Sequence, residues 1–187
     1  MQEGLTARML FRLHNINVWP QIRTAWLRLC GARIGKGTTL QRTSITWPHQ
    51  VQFGDDCILE SDIFFKFDGI WRPGPSIIVG DGVFIGRGCE FNIRRQIVIG
   101  QRCAIASGCK FIDHDHGVTG GGIDETSGIE GAIEVGNQVW LGCNVVVLKG
   151  VSIGANSVVG AGAVVTKNIP NGEIWAGIPA RKIGSRS

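Results

Sequence analysis

Residues 135–169 read VGNQVWLGCNVVVLKGVSIGANSVVGAGAVVTKNI, and an aliphatic residue recurs in this stretch at every sixth position. The recurring residues are Val135, Leu141, Val147, Ile153, Val159 and Val165. A half-buried strand repeats about every 2 residues and an amphipathic helix about every 3.6, so neither element explains a sustained period of six. A period of six is typical of a parallel β-helix, which the stretch therefore predicts.

The same repeat extends towards the N-terminus in groups of three. The earlier positions are Ile34 and Leu40; Phe53, Leu59 and Phe65; Val79, Ile85 and Phe91; and Ile99, Ile105 and Phe111. Three short strands close one triangular coil, so the sequence predicts about six coils, with the first irregular after Leu40. At roughly 4.8 Å per coil, the prism is about 29 Å tall. The spacing breaks at 65–79, 91–99 and 111–135, where extra residues should leave the prism at corners.

Two further positions of the six-residue repeat carry information. Glycine often follows the inward aliphatic residue, which suits a backbone that bends or is closely approached there. A small or β-branched residue stands four positions after it, and four cysteines occupy such sites: Cys57, Cys89, Cys103 and Cys109. We expect these thiols to be buried at corners and not to form disulfides. Because CxxC pairs, a signal peptide and long apolar runs are absent from the sequence, we expect a cytoplasmic location.

Composition indicates one globular chain of 187 residues, of which 43% are hydrophobic and 28 are glycine. The predicted divisions are a helical cap at 1–30, the β-helix at 31–170 and a C-terminal tail at 171–187. The net charge of +4 is mild. Nucleic-acid binding is not indicated, because no basic cluster interleaved with aromatic residues follows the coils.

Residues 5–30 contain two candidate helices that meet at Pro20. Apolar residues stand at helical spacing in both: Leu5, Met9, Leu10 and Leu13, then Ile22, Trp26 and Leu29. One interpretation is a cap over the open N-terminal coil. Because arginines are interspersed, the alternative is a basic amphipathic segment in peripheral contact with a membrane.

The longest insertion, a protruding loop at 112–132, is where we expect the chemistry. His114 and His116 flank Asp115 and follow Asp113. A nearby carboxylate orients an imidazole for work as a general base. Long loops in otherwise regular chains are usually functional. The alternative interpretation is a solvated polar loop tip.

Several segments carry a resemblance to a known family: Phe91-Asn92, the loop histidines, residues 139–142 (VWLG), 160–170 (GAGAVVTKNIP) and 176–181 (AGIPAR). Residues 34–183 resemble the hexapeptide-repeat acyltransferases, especially the branch of maltose, galactoside, nodulation and colanic-acid acetyltransferases. The resemblance implies an all-β, left-handed parallel β-helix that forms a homotrimer. It also implies an acetyl-CoA site between neighbouring prisms and direct acetyl transfer with a histidine general base.

The resemblance assigns roles around the loop. The family histidine usually lies eleven residues after an inward aliphatic residue, and counting from Ile105 favours His116, with His114 as the alternative. Asn92 matches an acceptor-binding asparagine. Asp113 and Asp115 are further candidates for contact with the acceptor.

The resemblance also assigns cofactor contacts. These are Trp140 and Cys143 at the pantetheine arm, Gly142 and Ala161 as backbone contacts, and Thr166 and Lys167 near the nucleotide end. Arg181 is a further candidate because of its positive charge near the C-terminus. Coenzyme A carries phosphates, which lysine and arginine bind well. The alternative interpretations are packing for Trp140 and a solvated tail for the cations.

The acceptor is weakly encoded. Trp71 and Arg72 in the insertion at 68–76 suit a sugar ring with a phosphate or carboxylate. Our first choice is O-acetylation of a saccharide or activated sugar in surface-polysaccharide or lipopolysaccharide synthesis. The alternatives are N-acetylation of a nucleotide-linked amino sugar and O-acetylation of an antibiotic.

Two alternative hypotheses assign the protein to other functional classes. A zinc enzyme of the carbonic anhydrase kind needs three histidines, and the sequence has only His14, His49, His114 and His116, with no separate third one on a neighbouring regular coil. We therefore expect no metal. A non-catalytic scaffold is the other reading.

Overall fold

The computed structural model describes residues 18–69, 71–119, 122–124 and 128–186. After helix α1 (Val18–Leu29), strands line three faces, A, B and C. Face A contains β1 (Arg33–Ile34), β4 (Val51–Phe53), β7 (Ile77–Val79), β10 (Ile97–Ile99), β15 (Ile133–Val135) and β18 (Ser152–Ile153). Face B contains β2 (Thr39–Leu40), β5 (Ile58–Leu59), β8 (Phe84–Ile85), β11 (Ala104–Ile105), β16 (Trp140–Leu141) and β19 (Val158–Val159). Face C contains β3 (Thr43–Ile45), β6 (Ile63–Phe67), β9 (Glu90–Ile93), β12 (Lys110–Ile112), β17 (Val146–Leu148) and β20 (Val164–Val165).

The chain visits A, B and C in turn, and each strand pairs in parallel with its counterparts in adjacent coils. This is the predicted left-handed parallel β-helix of six coils. At the C-terminal end, β21 (Glu173–Ala176) extends face B beyond β19, and β22 (Arg181–Ser185) returns antiparallel to it.

The core is built from the residues that the six-residue period marks as inward. Phe65, Phe91 and Phe111 stack in consecutive coils of face C with ring centroids 4.7 Å apart. The four corner cysteines are buried and free, as the repeat predicts. The thiols of Cys103 and Cys109, for example, donate to the carbonyls of Gly136 and Gly142 in the next coil. Each corner thus ties two coils together.

Corners require two different backbone features. The third residue after the inward aliphatic one adopts positive φ, as Asn144 (58°) and Asn156 (61°) do. Such a φ favours glycine, asparagine and aspartate. The glycine directly after the aliphatic residue serves close packing, since a Cβ on Gly142 would lie 2.6 Å from the backbone nitrogen of Ala161. The sequence analysis predicted the close packing at this glycine but not the positive φ two residues later.

In the part of the chain that the structure describes, the large insertions leave the prism along one edge, between faces C and A. We call this the C–A edge and define it by residues 46–50, 68–69, 71–76, 94–96, 113–119, 122–124, 128–132, 149–151 and 166–168. The loop after β12 contains an antiparallel hairpin of β13 (Gly117–Thr119) and β14 (Gly122–Asp124). Insertions that come from different coils, and are therefore far apart in the sequence, lie along the same edge of the prism.

Helix α1 packs on the first coil through Leu27, which is buried. Pro20 lies in its first turn, where no helical hydrogen bond is lost. Ile22, Trp26 and Leu29 are exposed. The apolar residues that stand at helical spacing in the sequence therefore form the outward face of the helix. The first candidate helix, with Leu5, Met9, Leu10 and Leu13, lies outside the described residues. None of the helices in the described ranges combines the length and apolar character needed to cross a bilayer. The domain boundaries stay a prediction.

Candidate functional site

His114 lies at the base of the protruding loop, where β12 ends at the C–A edge, and only 5% of it is exposed. Its partner is the fully buried carboxylate of Asp113. His114 Nδ1 lies 2.9 Å from Asp113 Oδ1. The backbone N–H groups of Arg94 and Arg95 donate to the same carboxylate, each at 2.8 Å. Because an ionised carboxylate only accepts, Nδ1 carries the hydrogen and the Nε2 lone pair can take a proton.

The Nε2 side of the ring faces a second carboxylate that the sequence analysis did not single out. Asp68 Oδ2 lies 3.7 Å from His114 Nε2, and Lys66 Nζ lies 2.9 Å from the same oxygen. Lys66 lies in β6 and Asp68 directly follows that strand, two coils below β12 in face C. The sequence could have indicated Asp68 by its position, because it stands where the alternating strand ends and the insertion at 68–76 begins.

His116 occupies a different environment. Its side chain is exposed, and its ring stands edge-on to that of His114 with the centroids 5.8 Å apart. Asp115, between the two histidines, is also exposed and pairs with Lys149. The geometry therefore favours His114 as the oriented base, whereas counting from Ile105 favoured His116.

Asn92 points outward from face C, in register with Lys66 of the coil below and Ile112 of the coil above. Its amide nitrogen donates to Glu90 Oε1 at 3.0 Å. The hydrogen bond from Lys110, followed by that from Asn92, lowers the pKa of Glu90. This arrangement fixes the Asn92 amide one coil below the strand that leads to His114.

The predicted acceptor residues in the insertion at 68–76 differ from each other. Trp71 is 65% exposed, and its ring lies 5.9 Å from that of His49. The Arg72 guanidinium donates to the carbonyl of Arg94 and lies 5.7 Å from the centroid of Phe67. Arg72 thus holds the turn that supplies N–H groups to the carboxylate beside His114, while Trp71 offers an open aromatic face.

The predicted cofactor residues fall into two groups. Gly142, Cys143 and Ala161 lie at the edge between faces B and C, next to Trp140, which is 54% exposed on face B. Arg181 begins β22 at the C-terminal end of the same sheet and is exposed. Thr166 and Lys167 are exposed instead at the C–A edge, two coils above His114.

This division has a geometric consequence. In a triangular prism, face B lies opposite the C–A edge. One chain therefore does not bring Trp140 next to His114, although it brings Asp113, Asp68 and Asn92 to the neighbourhood of that histidine.

A surface groove of about 670 Å³ lies over face A of the upper coils. Its lining includes Val98, Glu134, Ser152 and Asn168, the last of which follows Lys167 at the C–A edge. Within the part of the chain that the structure describes, no three potential metal ligands cluster together.

Comparison with known proteins identifies the repeats. Residues 132–167 match the family model "Bacterial transferase hexapeptide (six repeats)", and residues 76–109 match "Hexapeptide repeat of succinyl-transferase". The chain is 31% identical over 172 residues to the Escherichia coli K12 protein WcaF, assigned to colanic acid biosynthesis as an acetyltransferase. That match covers 89% of this chain and 79% of WcaF. A shorter match, 55% identical over 51 residues, covers 27% of this chain and 25% of the galactoside O-acetyltransferase of E. coli K12.

A solved structure shares the fold. A variant of AntD, an N-acyltransferase from Bacillus cereus in complex with dTDP-4-amino-4,6-dideoxyglucose and coenzyme A, superposes with a TM-score of 0.75 at 19% identity. The superposition covers 88% of this chain and 89% of AntD. The extended match to WcaF, the two repeat models and the triangular coils agree, and the chain belongs to the hexapeptide-repeat acetyltransferase family.

Proposed function

We propose that the protein is an acetyl-CoA-dependent O-acetyltransferase whose acceptor is a saccharide or activated sugar of a surface polysaccharide or lipopolysaccharide. The observation that supports this best is the orientation of His114. Its Nδ1 is held by buried Asp113, and its Nε2 faces the polar groups of Asp68 and Lys66. The relatives in colanic acid synthesis and galactoside acetylation support a sugar acceptor.

His114 acts as the general base, and His116 is the alternative. Acetyl-CoA supplies the acetyl group as a thioester. His114 Nε2 takes the hydroxyl proton while the acceptor oxygen bonds to the thioester carbonyl carbon, and it returns that proton to the departing sulfur. Asp113 stabilises the imidazolium that exists between the two transfers. The products are the sugar acetate and coenzyme A thiol, and none of the cysteines needs to react.

The cofactor residues support a site shared between copies of the chain. Trp140 and Ala161 on one copy and His114 on another meet one bound cofactor if face B docks near the C–A edge of its neighbour. A homotrimer satisfies this geometry with three equivalent sites. Lys167 and Arg181 are exposed cations suited to the phosphates of coenzyme A.

The outward face of α1 supports peripheral contact with the cytoplasmic side of a membrane. Exposed Ile22, Trp26 and Leu29 form one apolar face. The exposed cations Arg28 and Arg33 lie at the same end of the molecule, where Arg28 donates to the carbonyls of Ile34 and Gly35. An exposed apolar face at a basic end of a protein suits an anionic lipid surface. Sedimentation with anionic and neutral vesicles tests this, and we expect Trp26→Ser to reduce binding to the anionic ones. If the wild type and Trp26→Ser sediment equally with anionic vesicles, this face of α1 does not contact the membrane.

The first experiment is a calorimetric titration with acetyl-CoA, with free coenzyme A as the comparison. We expect micromolar binding near one site per chain. Failure to bind either ligand would leave the scaffold or a metal-dependent enzyme as the better reading.

The second experiment compares two matched variants on an acceptor that the protein acetylates. His114→Ala should lower turnover by about a hundredfold or more, because the proton acceptor is lost. His116→Ala should retain most of the activity, and both should bind acetyl-CoA as the wild type does. The opposite order would identify His116 as the base.

A further inference from the structure

Asp68 faces the reactive side of His114 and has no part in the base mechanism. Its Oδ2 lies 3.7 Å from His114 Nε2, and its side chain is 24% exposed. The backbone N–H of Asp68 donates to the carbonyl of Ile93 at 2.8 Å. This bond fixes the residue at the end of β6, so the carboxylate is placed by the coil and not by a mobile loop.

Two hydrogen-bond acceptors therefore converge on the place where an acceptor substrate must sit. One is the Nε2 lone pair of His114, and the other is the carboxylate of Asp68. A single hydroxyl has one hydrogen and can donate to only one of them. A substrate that satisfies both must donate two hydrogens, from two neighbouring hydroxyls or from one amine.

Lys66 favours the hydroxyls. Its ammonium lies 2.9 Å from Asp68 Oδ2 and already supplies the positive charge opposite that carboxylate. An amine attacks only in its neutral form, but at neutral pH it binds mainly as the ammonium, which would add a second cation beside Lys66 and must first lose a proton. Two neutral hydroxyls carry no such cost.

We propose that Asp68 is a specificity-determining residue, which accepts a hydrogen bond from the hydroxyl next to the one that is acetylated. The acceptor is then a vicinal diol of a sugar ring. This inference rests on the proposed function, because it takes His114 as the base and a sugar as the substrate.

The test uses methyl β-D-galactopyranoside, methyl β-D-glucopyranoside and methyl α-D-mannopyranoside, screened by release of the coenzyme A thiol. The best acceptor is then compared with its monodeoxy counterparts. Asp68→Asn keeps the size of the side chain and weakens its acceptor strength. We expect the KM for the sugar to rise about tenfold or more, with the KM for acetyl-CoA and the melting temperature unchanged.

The two losses should not add. Removing the neighbouring hydroxyl should cost the wild type about as much as the substitution does, and it should cost Asp68→Asn little more. The control is Asp56→Asn, an exposed position on another edge whose φ of 54° suits asparagine. This control should behave as the wild type.

Additive losses would overturn the inference and leave the proposed function intact. Preferential N-acetylation of an amino sugar that Asp68→Asn does not impair would overturn both the inference and the proposed O-acetylation. If the protein binds no acetyl-CoA or acetylates none of the glycosides, the proposed function fails first and the role of Asp68 fails with it.

Discussion

At the scale of the residue, burial decides which thiols react. Desolvation raises the pKa of Cys57 and of Cys103, so little thiolate forms at neutral pH. Cys30 and Cys143 are exposed. We expect iodoacetamide to modify these two in the native protein and the four buried cysteines only after denaturation, as mass spectrometry of peptides would show.

Acetyl-CoA should slow the labelling of Cys143, because that thiol lies at the predicted pantetheine site. Cys30, just beyond α1, is the internal control and should react at the same rate with and without cofactor. Equal rates at Cys143 would place the pantetheine arm elsewhere.

The Asp113 carboxylate supports both stability and activity. It accepts from two backbone N–H groups and from the ring of His114. In Asp113→Asn, an NH2 group replaces one carboxylate oxygen. That NH2 group then faces a hydrogen-bond donor where the wild type has an acceptor. We expect a loss of about 1–3 kcal/mol in the free energy of unfolding and a fall in turnover, measured by urea titration and initial rates. Asp56→Asn, at an exposed position on another edge, should change neither; a comparable loss there would show that the effect is not specific to the buried carboxylate.

At the scale of the strand and coil, the stacked phenylalanines should dominate stability. Phe91 is fully buried between Phe65 and Phe111. Phe91→Ala should therefore cost about 3–5 kcal/mol in the free energy of unfolding. Phe64→Ala, on the outer surface of the same sheet, should cost far less, because Phe64 is 37% exposed. Similar urea midpoints for the two variants would contradict this ranking.

The coils could be predicted from sequence because each six-residue repeat is a local pattern that fixes its own inward residue. The candidate site could be predicted only in part. The loop and both histidines were visible, but the donors to Asp113 come from a turn 19 residues earlier, which stacking brings beneath it. Asp68 reaches His114 for the same reason, across two coils. Counting along one coil therefore favoured His116, whereas contacts between coils favour His114.

At the scale of the whole molecule, face B is separated from the C–A edge, so the site as we propose it needs a second copy of the chain. We expect light scattering to give the mass of three chains. A monomeric mass would remove the shared site, since Trp140 and His114 lie on opposite sides of one prism.

Mixing two inactive variants tests the shared site directly. His114→Ala lacks the base, whereas Trp140→Ala combined with Ala161→Glu lacks the cofactor contacts on face B. In any mixed trimer, one of the three interfaces joins an intact histidine to an intact face B. Equal amounts, unfolded and refolded together, should therefore recover roughly a quarter of the wild-type activity, because about three quarters of randomly assembled trimers are mixed. Each variant refolded alone should stay inactive. If the mixture also stays inactive although mixed trimers are detected by native mass spectrometry, neighbouring chains do not share the site. If the face B variant alone keeps its activity, the assignment of Trp140 and Ala161 to the cofactor is wrong.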